Sequence, residues 1–94
     1  MTILQIVAED ARPVAATCDE AHLHVALADG RSLTAPLWWY PRLLSASVDE
    51  RREVELMPMG IHWPQIDEDV SVASILRGER APGATMPTGR GQNG

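Results

Sequence analysis

The chain has no lysine, one cysteine (Cys18), four aromatic residues and no long apolar run. Each shortage excludes something. One cysteine rules out an internal disulfide framework and a cysteine-built zinc cage, and fits a reducing cytoplasm. A membrane helix needs about 20 apolar residues in a row, so no membrane role is expected. Met1 to Asp10 has no basic flank and reaches acid at Glu9, so it does not read as a signal peptide. All eight basic residues are arginine, beside twelve alanines. That reads as the codon bias of a GC-rich genome rather than selection for bidentate anion pairing. A chain this short buries only about 60% of its unfolded surface. Trp38, Trp39, Tyr40 and Trp63 are therefore expected as structural anchors of a single domain.

Charge is unevenly placed. Residues 1–78 hold twelve acids and six arginines, whereas 79–94 hold Glu79, Arg80 and Arg90. The acidic body repels phosphate, so direct nucleic-acid binding by it is not expected. A basic partner protein suits it better. No cofactor is expected. Residues 79–94, rich in glycine and proline, read as a disordered tail, leaving 1–78 as the domain.

Local patterns then predict an α+β fold. It is an antiparallel meander of three to four strands, with two to three short helices packed on one face. Ile3–Val7 and Pro13–Cys18 read as strands. From His22 to Ala28, Leu23, Val25 and Leu27 alternate with His22, His24 and Ala26. Asp29-Gly30 marks a hairpin, and the faces choose its loop. A three-residue loop, Ala28 to Gly30, pairs Leu27 with Arg31, Val25 with Leu33 and Leu23 with Ala35. That keeps apolar residues together and asks for a left-handed Gly30. Trp38–Ala46 reads as a helix with an apolar stripe at Leu37, Tyr40, Leu43 and Leu44. Ser47-x-x-Glu50 is a capping box for a largely solvated helix reaching about Glu55. Gly60–Trp63 is extended and stopped by Pro64. Val72–Arg77 is the last helix, capped by Ser71 and stopped by Gly78.

Three blocks resemble the domain of unknown function 2442 family. They are Val25-x-x-x-Asp29-Gly30-Arg31, then Ala35-Pro36-Leu37-x-Trp39-Tyr40-Pro41-Arg42-Leu43-Leu44, and then Gly60-Ile61-His62-Trp63-Pro64-x-Ile66-Asp67-Glu68-Asp69-Val70-Ser71-Val72 with Leu76-Arg77-Gly78. The resemblance covers 22–78; Met57-Pro58-Met59 is an atypical approach to Gly60. It implies a small bacterial α+β protein with no established enzymatic activity. Relatives often neighbour genes of a second uncharacterised family (domain of unknown function 4160), in pairs that look like toxin–antitoxin modules. The present family would be the antitoxin. Some relatives add a C-terminal helix-turn-helix, for which the tail after Gly78 leaves no room.

The sharpest candidate site joins His62-Trp63-Pro64 to Asp67-Glu68-Asp69. As chemistry, His62 with Asp67 or Asp69 would form a metal or acid–base site. As recognition, Trp63 would anchor a partner and the acids would rim it. As structure, Trp63 fills the core, His62 bonds locally, and the acids lie in a loop facing the helix that starts at Val72. Partner binding is expected at Trp38, Arg42, Trp63, Asp67, Glu68 and Asp69, with Trp38 exposed and Arg42 salt-bridged to Asp67 or Asp69. His22 and His24 share a strand face that suits either a metal or solvent. Cys18 reads as a small buried hydrophobe. The expected function is a non-enzymatic interaction module, antitoxin-like, that neutralises a small basic partner encoded by a neighbouring gene. The alternatives are a metal-dependent module at His62 and an accessory subunit of a nucleic-acid complex.

Overall fold

In a computed structural model of the chain, residues 11–87 are described. The expected strand at Ile3–Val7 and the tail residues 88–94 lie outside them. The described chain is α+β, with six strands in two antiparallel three-stranded sheets and three short helices. The strands are β1 (Pro13–Cys18), β2 (His22–Leu27), β3 (Ser32–Pro36), β4 (Glu55–Met57), β5 (Gly60–Trp63) and β6 (Glu68–Ser71). The helices are α1 (Pro41–Ser45), α2 (Val48–Arg52) and α3 (Val72–Arg77). A 3-10 turn, Leu37–Trp39, precedes α1.

The first sheet is the expected meander. Val25 pairs with Leu33 and Leu23 with Ala35, as the three-residue loop requires. Leu27 N donates to Arg31 O at 2.8 Å, and Gly30 has φ +94°. A Cβ at Gly30 would touch nothing within 4 Å. Gly30→Ala should therefore cost only the backbone term, about 1 kcal/mol. Urea melts of the two proteins measure it, and equal midpoints would contradict this account of the loop.

The second sheet was not anticipated. The second helix, expected to reach about Glu55, stops at Arg52, and Glu55–Met57 form β4, which pairs with β5 across the tight turn Pro58-Met59. Of the residues expected as an acidic loop, Asp67 stays in the turn while Glu68 and Asp69 open β6, with Trp63 opposite Glu68 and His62 opposite Asp69. The described residues hold six strands where a meander of three to four was expected, because two short segments on either side of Gly60–Trp63 pair with it. Pro41 explains a further difference. A residue before proline avoids helical dihedrals, and Tyr40 sits at φ −130°, ψ 88°. The single helix expected over 38–46 thus splits into the 3-10 turn and α1, and Leu44 faces solvent.

Both remaining caps form as the sequence suggests. Ser47 and Glu50 make the reciprocal capping box, and Ser71 Oγ accepts from Ser74 N at 3.0 Å. Gly78 ends α3 in the left-handed region. Leu23, Val25, Leu27 and Ala35 from the first sheet meet Ile61, Trp63 and Val70 from the second, together with Leu37, Tyr40, Leu43, Val72 and Ile75. Arg51 was expected in solvent but is half-buried. Its guanidinium donates to Leu43 O and Leu44 O, each at 2.9 Å, closing the carbonyl end of α1. The chain after Gly78 also packs. Ala81 N donates to Trp39 O at 2.9 Å.

Candidate functional site

The β5–β6 hairpin gathers the sharpest sequence motif. Pro64 to Asp67 form its turn, and Asp67 adopts the left-handed conformation, φ 54°. Aspartate tolerates that region better than most residues. Arg42 Nη1 donates to the backbone carbonyl of Asp67 at 2.6 Å. The expected ion pair to the Asp67 or Asp69 carboxylate is therefore replaced by a bond to the chain itself. Arg42 ties α1 to the turn and leaves the Asp67 carboxylate free of it.

Strand alternation then separates the three acids. Asp67 and Asp69 are exposed, whereas Glu68 points inward and is buried, with 9% exposure. Trp63, on the same inner face, has no exposed surface, and its Nε1 donates to Arg51 O at 3.2 Å. Trp63 therefore fills the core, and neither it nor Glu68 belongs to an outer binding rim.

On the outer face, His62 Nδ1 lies 2.7 Å from Asp69 Oδ1. Register places Glu55 opposite His62 on its other side. The hydrogen bond to Asp69, with the nearby Asp69 and Glu55 charges, pushes the His62 pKa above its ordinary value. Native His62 therefore holds its proton longer than unfolded His62 does. The resulting stabilisation is complete below about pH 6.5 and disappears as pH rises through the higher folded value. Thermal melts should show this fall in stability on the alkaline side, and Asp69→Asn should flatten it. An unchanged slope in Asp69→Asn would contradict the assignment.

Beside β6 lies a cleft of about 350 Å³ lined by Tyr40, Glu68, Asp69, Ser74, Arg80 and Ala81, among others. Tyr40 is 3% exposed, and its hydroxyl has no hydrogen-bond partner among the described residues. Burial, reinforced by the Glu68 charge, pushes the phenol up to about 12. Burial also pushes the Glu68 carboxyl up, opposed by the Arg42 charge and aided by Asp69 and Asp67. At the rim, the Arg80 guanidinium stands 4.9 Å from the Trp38 ring centre and 5.6 Å from that of Trp39. Trp38 was expected to be exposed. It is half-buried, with Arg80 covering its ring.

This fold and this motif can be set against known proteins. The family described as "Protein of unknown function (DUF2442)" matches residues 13–81. The chain belongs to the DUF2442 family. A crystal structure of a protein of unknown function from Rhodospirillum rubrum is similar to this DUF2442 chain at 29% identity and a TM-score of 0.67. That similarity covers 81% of this chain and 96% of the other. The solution structure of an uncharacterised protein from Chromobacterium violaceum shares the fold, at 22% identity and a TM-score of 0.69, covering 87% and 79%. No curated protein matches the chain.

The remaining candidates in this DUF2442 domain are locally engaged. His24 Nε2 lies 2.7 Å from Asp19 Oδ2, and its Nδ1 lies 3.4 Å from Thr34 Oγ1. Asp19 Oδ1 accepts from the backbone of Ala21 and His22, which closes the β1–β2 turn. These bonds hold the Asp19 carboxyl well below the usual carboxylate range. Among the described residues, no three histidine, cysteine or acidic side chains are grouped to hold a metal. Cys18 is half-buried against the core, and burial pushes its thiol up, away from the reactive thiolate. No helix among the described residues is long and apolar enough to cross a membrane.

Two features escaped sequence reasoning. One is the unpartnered Tyr40 hydroxyl. The other is Arg80, which was assigned to the tail. The only sequence signal for either is the adjacency of Glu79-Arg80 to the Gly78 stop, which returns the chain toward Trp39.

Proposed function

We propose that this DUF2442 protein is a non-enzymatic interaction module of the antitoxin type, which acts in the cytoplasm. It binds and neutralises a small basic protein encoded by a neighbouring gene. The observation that carries this reading is the pinned acidic turn. Arg42 holds the turn through a backbone carbonyl, and the exposed carboxylates of Asp67 and Asp69 meet no arginine in the ion pairs of the described residues. A charge displayed on a fixed backbone attracts an opposite partner and loses little freedom when that partner binds. Arg42, Asp67 and Asp69 form this surface, and Trp38 lies under Arg80 at the neighbouring cleft. Trp63 and Glu68 support it from beneath.

The test is co-expression with the neighbouring gene product and size-exclusion chromatography. Co-elution as a stoichiometric complex at micromolar concentration is expected. Separate elution would remove the basis of the proposal.

The His62–Asp69 pair favours one other reading, an acid–base or metal-dependent module, because it leaves Nε2 of an oriented imidazole available. Divalent metal titration separates the two. The interaction reading expects an unchanged melting temperature, and a saturable rise would support the metal site.

A further inference from the structure

We infer that the cleft beside β6 is a receptor for a single arginine side chain of the basic partner, with Glu68 and Tyr40 as its polar floor. This inference rests on the interaction reading above and adds the chemistry that the partner must present.

Three observations meet in one place. The first is an unmatched acid. Glu68 is nine-tenths buried, yet no cation stands within ion-pair distance of it among the described residues. The other acids of the lining are engaged: Asp69 with His62 at 2.7 Å, and Glu79 with Arg77 at 2.7 Å. Arg42, whose charge is felt at Glu68, makes no ion pair with it and spends a donor on the Asp67 carbonyl. The second is an unmatched hydroxyl. Tyr40 lines the same cleft, and its buried oxygen is without a partner among the described residues. Leaving such a group unsatisfied is costly, and a ligand that satisfies it recovers that loss. The third is the wall. Val70, Ala81 and Pro82 add apolar surface to the lining of the same cleft.

The requirement is then for a cation on an aliphatic stem, with several N–H donors spread in one plane. Guanidinium answers it. It is weakly hydrated, stays charged on burial and presents five donors. Two or more N–H groups would reach the Glu68 carboxylate, and another would reach the Tyr40 oxygen. Arg80 does not already fill the place, because its guanidinium is held over the indoles of Trp38 and Trp39 at the rim. A lysine ammonium would meet Glu68 but is more strongly hydrated and cannot address both floor groups from one plane.

The test titrates the full chain, labelled with nitrogen-15, with N-acetyl-arginine methylamide. The citrulline analogue, which is neutral and nearly the same shape, is the control. Saturable amide shifts at Glu68, Val70 and Ala81 are expected with the arginine probe and not with citrulline. Glu68→Gln should weaken the arginine response about tenfold, and Tyr40→Phe should weaken it by a smaller factor. Both variants are expected to fold, since each removes a polar feature that burial disfavours; their amide spectra check this. A response that never saturates, that citrulline reproduces or that Glu68→Gln leaves unchanged overturns the inference. The same variant separates this inference from the function on which it rests. Arginine binding without a partner complex removes the neutraliser reading and keeps the cleft. A partner complex that Glu68→Gln does not weaken removes the cleft and keeps the neutraliser.

Discussion

Gly60→Ala is expected to cost about 3 kcal/mol and to lower the melting temperature by on the order of 10–20 °C. Gly60 opens β5 and is buried against β6. A Cβ there would stand 2.5 Å from Val70 O and 3.0 Å from Ser71 Cα. Both are backbone atoms of the neighbouring strand, so no side chain can swing aside. The strands must separate, and Trp63 and Val70, which pack along the same hairpin, lose contact with the core. The demand on Gly60 is therefore close approach, unlike the demand on Gly30, which is a positive φ. Thermal unfolding of the two alanine variants should rank them clearly, with Gly60→Ala far the worse. Equal losses would show that β5 and β6 are not held as tightly as described.

Trp63→Ala should cost about 3–5 kcal/mol, the range for emptying a large aromatic site. The side chain has no exposed surface and reaches across the fold to Arg51 O through its indole N–H. A small domain has roughly 5–15 kcal/mol in total, so this one substitution removes a large share of the stability. Trp63→Phe keeps an aromatic ring but loses the donor and some volume, and should fall between the wild type and alanine. Urea denaturation with unchanged slope is the measurement. A Trp63→Ala midpoint close to wild type would return Trp63 to the surface role that the sequence also allowed.

Strand alternation over 22–28 and the Asp29-Gly30 turn were enough to place the first hairpin and its register, because both partners lie within a dozen residues and one face is buried. Capping at Ser47 and Ser71 was likewise local. The second sheet was not legible. Its strands are only three or four residues long, and the acid run at 67–69 carries none of the β-branched or aromatic character that marks a strand. Without β6, the three acids read as one patch. With it, alternation sends Glu68 inward, into the wall of the cleft, and leaves only Asp67 and Asp69 on the outer surface. Arg42 shows the same lesson in reverse. Its association with the acidic turn was anticipated, but a carbonyl acceptor has no sequence signature, so the bond was expected at a carboxylate. Tyr40 was recognisable as core, whereas the missing partner of its hydroxyl depends on three elements distant in sequence.

The proposed basic partner docks on the acidic turn that Arg42 fixes and whose exposed carboxylates meet no arginine among the described residues. The most direct measurement is calorimetric titration of the purified neighbouring gene product into the wild-type chain and into Asp67→Asn/Asp69→Asn, at low and high salt. The account predicts a stoichiometric complex of micromolar affinity or tighter that weakens with added salt and weakens about tenfold in the double variant. A wild-type chain that gives no binding heat, or an affinity indifferent to both salt and the two carboxylates, would contradict it.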